Sequence, residues 1–227
     1  MKKKIYLLII IVLSLFLVGC IGDVNDVKEK ETLKIDYNDK THEVDLNYDT
    51  KNPVVEMEFK DYGKVYIELY KDTAPNTVNN FIYLTHKGFY DNNTSHRLID
   101  GFVLQGGDPT GTGTGGPGYS IKGEFTANNF KNDLLHTEKV VSMARSNSYD
   151  SAGSQFFIML GTAPHLDNQY AAFGMVIDGW DVIEKIVEEN KNNVSDDNGT
   201  LKDNLTITSA KIDLNDYKPE SVEIIKE

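Results

Sequence analysis

Between Val54 and Ile177 most apolar residues fall in short runs of strand character, and only two stretches of the chain keep a helical period. Val55, Met57 and Phe59 alternate with polar residues, and Val65, Ile67 and Leu69 do so again after Asp61-Tyr62-Gly63. Two alternating runs around a short glycine-containing loop predict a hairpin. Further strands are expected at Phe102–Gln105, Val140–Ala144, Gln155–Leu160 and Ala171–Ile177, with a last one starting at Leu205-Thr206-Ile207-Thr208. Thr73-Ala74-Pro75 signals a helix start, Val78, Phe81, Ile82 and Thr85 share one helical face, and Gly88 marks its end. Asp181–Glu189 is a second amphipathic helix, followed by a polar loop over 190–204. Many short strands with two distant helices predict an all-β dominated fold, an antiparallel barrel capped by helices.

Composition narrows the chemistry. The formal charge is −12, which makes a phosphate backbone an unsuitable partner, so no nucleic acid is expected. There is one cysteine, Cys20, so neither an intrachain disulfide nor a cysteine-based metal site is possible. The five histidines are scattered without metal-ligand spacing, and neither a metal nor another cofactor is expected. The glycine-rich loop Gly106–Gly118 lacks the Gly-Lys-Ser/Thr ending of a phosphate-binding loop, and Pro117-Gly118 intervenes before any helix could start.

The N-terminus has the layout of a secretory leader. Lys2 to Lys4 form a basic patch, Ile5 to Val18 an apolar run, and Gly19-Cys20 follows. The run is 14 residues long, whereas a spanning helix needs about 20. Leu17-Val18-Gly19-Cys20 resembles the bacterial lipobox, whose cysteine is lipidated and becomes the first mature residue. The resemblance implies an acyl anchor on Cys20 in the cell membrane, with the protein on the extracytoplasmic side. Loss of residues 1–19 removes three lysines and no acid, taking the formal charge to −15. An anionic lipid surface repels such a protein, so attachment has to come from the lipid. Residues 20–51 are rich in Lys, Asp, Glu and Asn and read as a polar tether, with a short hairpin conceivable between 33–37 and 44–46. The folded domain is expected over 52–216 and a C-terminal tail over 217–227.

Several segments together resemble the cyclophilins. They are Ser95-His96-Arg97-Leu98-Ile99-Asp100-Gly101-Phe102-Val103-Leu104-Gln105-Gly106-Gly107-Asp108, Gly113-Thr114-Gly115-Gly116, Val141-Ser142-Met143-Ala144-Arg145, Gly153-Ser154-Gln155-Phe156-Phe157-Ile158, His165-Leu166-Asp167 and Phe173-Gly174. They stand in family order over roughly residues 53–215. The resemblance implies a closed eight-stranded antiparallel β-barrel capped by two α-helices. It also implies peptidyl-prolyl cis-trans isomerase activity on proline-containing unfolded or extended polypeptides, here secreted or surface proteins. A monomer is expected.

An X–Pro bond turns over tens to hundreds of seconds against a barrier of about 20 kcal/mol. No covalent bond has to break. A catalyst must weaken conjugation at the prolyl nitrogen and hold the ring while the other side rotates. The resemblance assigns the first task to Arg97, whose guanidinium approaches that nitrogen, and makes Gln105 its orienting partner. It places Phe102, Val103, Phe157 and Leu166 around the proline ring, and Ala144, Arg145, Ser146, Gln155, His165 and Tyr170 along the bound peptide. Strand alternation puts Val103 with Gln105 on one face and Gln155 with Phe157 on another, leaving Phe156 and Ile158 for the core. His96 should point away from Arg97 as a structural residue.

Three positions depart from the best-known eukaryotic members. His165 stands where those have tryptophan, Tyr170 where they have histidine, and Val103 where they have methionine. Weak affinity for cyclosporin, which binds that rim in the family, is the expectation. A module that binds proline segments without catalysis is the alternative, set against retention of Arg97, Gln105, Phe102 and Phe157. A partner-docking role for residues 21–51 is a third reading.

Overall fold

A computed structural model describes residues 31–36 and 38–226. The leader, Cys20 and Tyr37 lie outside the described residues, and so do the readings that fall on them.

The chain runs β1 (Glu31–Leu33), β2 (Val54–Phe59), β3 (Gly63–Leu69), α1 (Pro75–His86), β4 (Asn93–Ile99), β5 (Val103–Asp108), β6 (Tyr119–Ser120), β7 (Val140–Met143), β8 (Phe156–Met159), β9 (Ala172–Asp178), α2 (Trp180–Asn190), β10 (Thr200–Asp213) and β11 (Val222–Lys226). Eight strands close into a barrel in the order β10-β2-β3-β9-β7-β8-β5-β4, and every pairing is antiparallel. The fold expected from the sequence is the fold observed.

Alternation explains the barrel wall. Val65, Ile67 and Leu69 of β3 are fully buried, while Lys64, Tyr66 and Glu68 between them are not. The β2–β3 turn needs left-handed backbone, supplied by Asp61 (φ 66°) and Gly63 (φ 127°). A barrel of eight strands has an interior that side chains just fill. Here Phe81 of α1 packs on Tyr90, Phe156 and Phe173, with ring centroids 4.8–5.4 Å apart. The α1 N-terminus is capped from a distant loop: Asn76 and Thr77 donate their backbone N–H groups to the Glu124 carboxylate at 3.1 and 2.7 Å. On α2, Ile183 and Ile186 are fully buried and the opposite face is charged.

Strands β5, β7, β8 and β9 carry apolar residues on both faces. Leu104, Val141, Phe156 and Ile158 join the main core. Val103, Val140, Phe157, Met159 and Ala172 face the other way and build a second apolar cluster with Ala163 and Leu166. This second cluster is the floor of the candidate site.

The segments on either side of the barrel differ from expectation. Residues 31–51 were expected as a tether, and 217–227 as a tail. Instead β11 lies between β1 and β6 in a three-stranded antiparallel sheet. Val222 is fully buried and Ile35 nearly so. Glu43 bridges β10 in parallel at Ile212, and among the described residues 33–36 and 44–46 do not pair as the hairpin conceived between 33–37 and 44–46. The N-terminal segment is held by polar bonds: Leu46 N–H to Asp213 (2.7 Å), Tyr48 Oη to Asp178 (2.9 Å), and His42 Nε2 to Asp91 (2.8 Å). A segment anchored this way needs few large apolar residues, which is why its composition reads as solvated.

Candidate functional site

Arg97 and Gln105 face each other across the β4–β5 ladder. Arg97 donates from Nη1 to Oε1 of Gln105 at 3.2 Å and from Nε to the Asn198 carbonyl at 2.7 Å. Gln105 donates onward to Oε1 of Gln155 (3.0 Å), and Gln155 donates to the carbonyls of Gly113 (3.0 Å) and Gly115 (2.9 Å). The guanidinium is thus fixed at one end of a relay of amides. Burial lowers its pKa somewhat, opposed by Tyr170 and Asp196, and an arginine so placed stays charged.

Asp108, at the end of β5, anchors the loop that holds Gln155. It is fully buried and accepts from the backbone N–H groups of Thr110 (2.7 Å), Thr112 (3.1 Å) and Gly113 (2.6 Å) and from the Thr110 hydroxyl (2.8 Å). Burial pushes its pKa up, but hydrogen bonds from Thr110, Gly115 and Gly113 outweigh it and hold the carboxyl at about 2.

Arg97 and Gln105 edge a cavity of about 350 Å³ whose other walls are Phe102, Val103, Ala144, Arg145, Phe157, His165, Leu166 and Tyr170. The His165 ring stacks on Phe102 (5.7 Å, 27°), and Tyr170 meets Phe157 edge-on (5.9 Å). A second, larger cavity of about 580 Å³ adjoins it, sharing Gln105, Ala144 and Arg145 and including Ser146 and Gln155. Every barrel residue singled out from the sequence as catalytic or peptide-binding therefore lines one of two connected cavities. Cys20 is outside the described residues.

Behind the cavity lies a network whose role the sequence did not suggest. Asp167 accepts from the His136 backbone N–H (2.7 Å) and from its ring Nδ1 (3.1 Å), and His136 Nε2 accepts from the Ser142 hydroxyl (3.0 Å). Ser142 lies opposite Phe157 on β7–β8, and the His136 ring stacks on Phe157 at 6.0 Å. Burial lowers the His136 pKa despite the neighbouring Asp167, which favours the neutral ring, and with Nδ1–H given to Asp167 it is Nε2 that accepts from Ser142. No spacing rule joins His136, Ser142 and Asp167. The Asn198 carbonyl that binds Arg97 is backbone and leaves no mark on residue identity. His96 is buried away from Arg97, beside Gly113, with no hydrogen-bond partner for Nδ1. Burial lowers its pKa as well.

What this arrangement can do is limited and specific. It offers a cup walled by Phe102, Val103, Phe157 and Leu166, the guanidiniums of Arg97 and Arg145 beside them, and no Ser, Thr, Cys or Lys among the described residues of its lining. Such a site suits binding and charge stabilisation at a planar group rather than covalent chemistry.

Comparison with known proteins agrees. The family model described as "Cyclophilin type peptidyl-prolyl cis-trans isomerase/CLD" matches residues 54–212. The peptidyl-prolyl cis-trans isomerase B of Bacillus subtilis (strain 168) is 48% identical over 120 residues, 53% of this chain and 80% of that one. A peptidyl-prolyl cis-trans isomerase of Helicobacter pylori is 44% identical over 126 residues, 55% of this chain and 74% of its own. Among solved structures, a Cryptosporidium parvum cyclophilin type peptidyl-prolyl cis-trans isomerase in the presence of dipeptide ala-pro superposes with a TM-score of 0.61 at 32% identity, covering 70% of this chain and 98% of that one.

Proposed function

Because the chain belongs to the cyclophilin-type peptidyl-prolyl cis-trans isomerases, we propose that the cup between Arg97 and Leu166 holds the proline ring of an X–Pro segment while Arg97 acts on the prolyl nitrogen. The observation that carries this assignment is the Arg97 guanidinium, held by Gln105 and the Asn198 carbonyl at the lip of a cavity walled by Phe102, Val103, Phe157 and Leu166. As the bond twists, the nitrogen becomes pyramidal and its lone pair localises. A hydrogen bond from Arg97 to that lone pair exists only near the transition state, so it accelerates the reaction instead of tightening ground-state binding. Gln105 and the Asn198 carbonyl hold the guanidinium in position, so little reorganisation is needed at the moment of twisting. Phe102, Val103, Phe157 and Leu166 hold the ring. The backbone of Ala144, Arg145 and Ser146 pairs with the peptide beside Gln155, and His165 and Tyr170 form the outer rim. The reaction breaks no bond and needs no cofactor.

The purified chain should speed cis-to-trans relaxation of short X–Pro peptides. Absence of acceleration by folded protein would leave a proline-peptide binding module in its place.

The same proposal extends to location. Residues 1–19 serve as a signal peptide, Cys20 carries the acyl anchor, and a monomeric isomerase domain works on the extracytoplasmic face on secreted or surface proteins whose folding waits on proline. The lipobox-like Leu17-Val18-Gly19-Cys20 after a 14-residue apolar run supports this. Fatty-acid labelling in cells and membrane fractionation of the chain and its Cys20→Ala variant test it. Label on both, or membrane release of neither, contradicts the anchor.

A further inference from the structure

The chain has 35 acidic residues and only two arginines, Arg97 and Arg145. Both line the smaller cavity, and Arg145 also borders the larger one. No Asp, Glu or Lys lines either cavity. Among the described residues no ion pair involves either arginine. A strongly acidic protein thus places its two guanidiniums, neither in a direct ion pair among the described residues, around the cleft where peptide is to lie.

Arg145 is held for this position. Its Cζ lies 4.4 Å from the ring centroid of Tyr170, 5.0 Å from Tyr149 and 5.4 Å from Phe125. Nε and Nη2 donate to the Gln169 carbonyl (3.1 and 3.0 Å) and Nη1 to the Ser146 carbonyl (2.9 Å). These bonds use three of its five N–H groups and leave two for a ligand. None of its partners neutralises it. Three aromatic rings and two carbonyls fix the side chain before any peptide arrives, so an incoming carboxylate does not have to order it. The remote acidic surface opposes an acidic peptide only weakly, because its field is screened over about 8 Å at physiological ionic strength. A carboxylate in contact with Arg145 is inside that distance.

We propose that Arg145 is a specificity-determining residue that makes this site favour X–Pro segments carrying an aspartate or glutamate beside the proline, on the flank that crosses Arg145 towards the larger cavity. This rests on the isomerase reading of the same cavity. Its main-chain pairing with the peptide is a separate role, which any residue there could fill. The side chain adds a choice between acidic and basic neighbours.

The test uses the full-length protein and X–Pro peptides that differ only in Glu, Gln or Lys at each of the two positions on either side of the proline. At one flank kcat/KM should run Glu above Gln above Lys, with Glu over Lys by about three- to tenfold, the range of a partly exposed charge contact. In Arg145→Gln that ratio should fall to within about twofold. Because the readout is a ratio within one protein, a general loss of activity in the variant does not imitate the effect. A Glu-to-Lys ratio near one at every position in the wild type overturns the proposal, and so does a preference that survives Arg145→Gln. Both outcomes leave the isomerase reading standing. Failure to accelerate any peptide overturns that reading and this proposal with it.

Discussion

Arg97 and Gln105 are directly opposed on neighbouring strands and joined by a 3.2 Å hydrogen bond from guanidinium to amide oxygen. A two-stranded register thus sets the aim of the guanidinium proposed to act on the prolyl nitrogen, and the amide relay behind it sets the rotamer. Gln105→Ala removes the amide that positions Arg97 and frees the chain to sample other rotamers. It should lower kcat/KM for an X–Pro peptide by about ten- to a hundredfold with little loss of fold. Gln155→Ala, one bond further away, should cost less. Peptide relaxation rates for the two variants, with circular dichroism as a fold control, check the order.

Asp108 is the far end of the same relay. Replacing it by alanine leaves the N–H groups of Thr110, Thr112 and Gly113 without their acceptor. The expected cost is about 2–4 kcal/mol in urea unfolding. Activity of the folded fraction should fall too, because Gly113 and Gly115 hold Gln155. An activity loss without a stability loss would contradict the anchoring role.

Stability should decline as the pH is lowered below the ordinary histidine value of 6.5. His96 and His136 both have pKa values lowered by burial. The unfolded chain therefore takes up protons at these sites before the native one does, and acid favours unfolding in that window. Their contribution is present above 6.5 and lost as the pH falls through the native values. Glu124 acts oppositely, since burial raises its pKa and the native state binds its proton first above the ordinary 4.5. Urea midpoints between about pH 8 and 5 for the wild type and His136→Gln separate the contributions. The variant should show a shallower decline.

The N- and C-terminal segments should contribute to stability. Val222→Ala opens a gap at a fully buried position between β1 and β6 and should cost about 1–3 kcal/mol. No measurable change would mean that this sheet is not part of the cooperative unit.

The barrel was legible because period-2 runs and turn glycines report burial directly. Val65, Ile67 and Leu69 alternate in the sequence and in the wall alike. The cavity residues were legible because they sit in short contiguous motifs, along β4 and β5, just after β7, at the start of β8 and in the segment before β9. Two things were not. The segment at 31–51 hides its packing because polar side chains such as Tyr48 and Asp213 hold it, where an apolar stripe would have shown. The Asp167–His136–Ser142 network and the Asn198 carbonyl depend on long-range juxtaposition and backbone geometry, and neither leaves a local pattern.

The most direct measurement is the cis-to-trans relaxation of a short X–Pro peptide with the wild type and Arg97→Ala side by side, both shown folded. The account predicts strong acceleration by the wild type and a loss of about a hundred- to a thousandfold in the variant. A variant that keeps wild-type activity would contradict the role given to Arg97, whatever else the cavity binds.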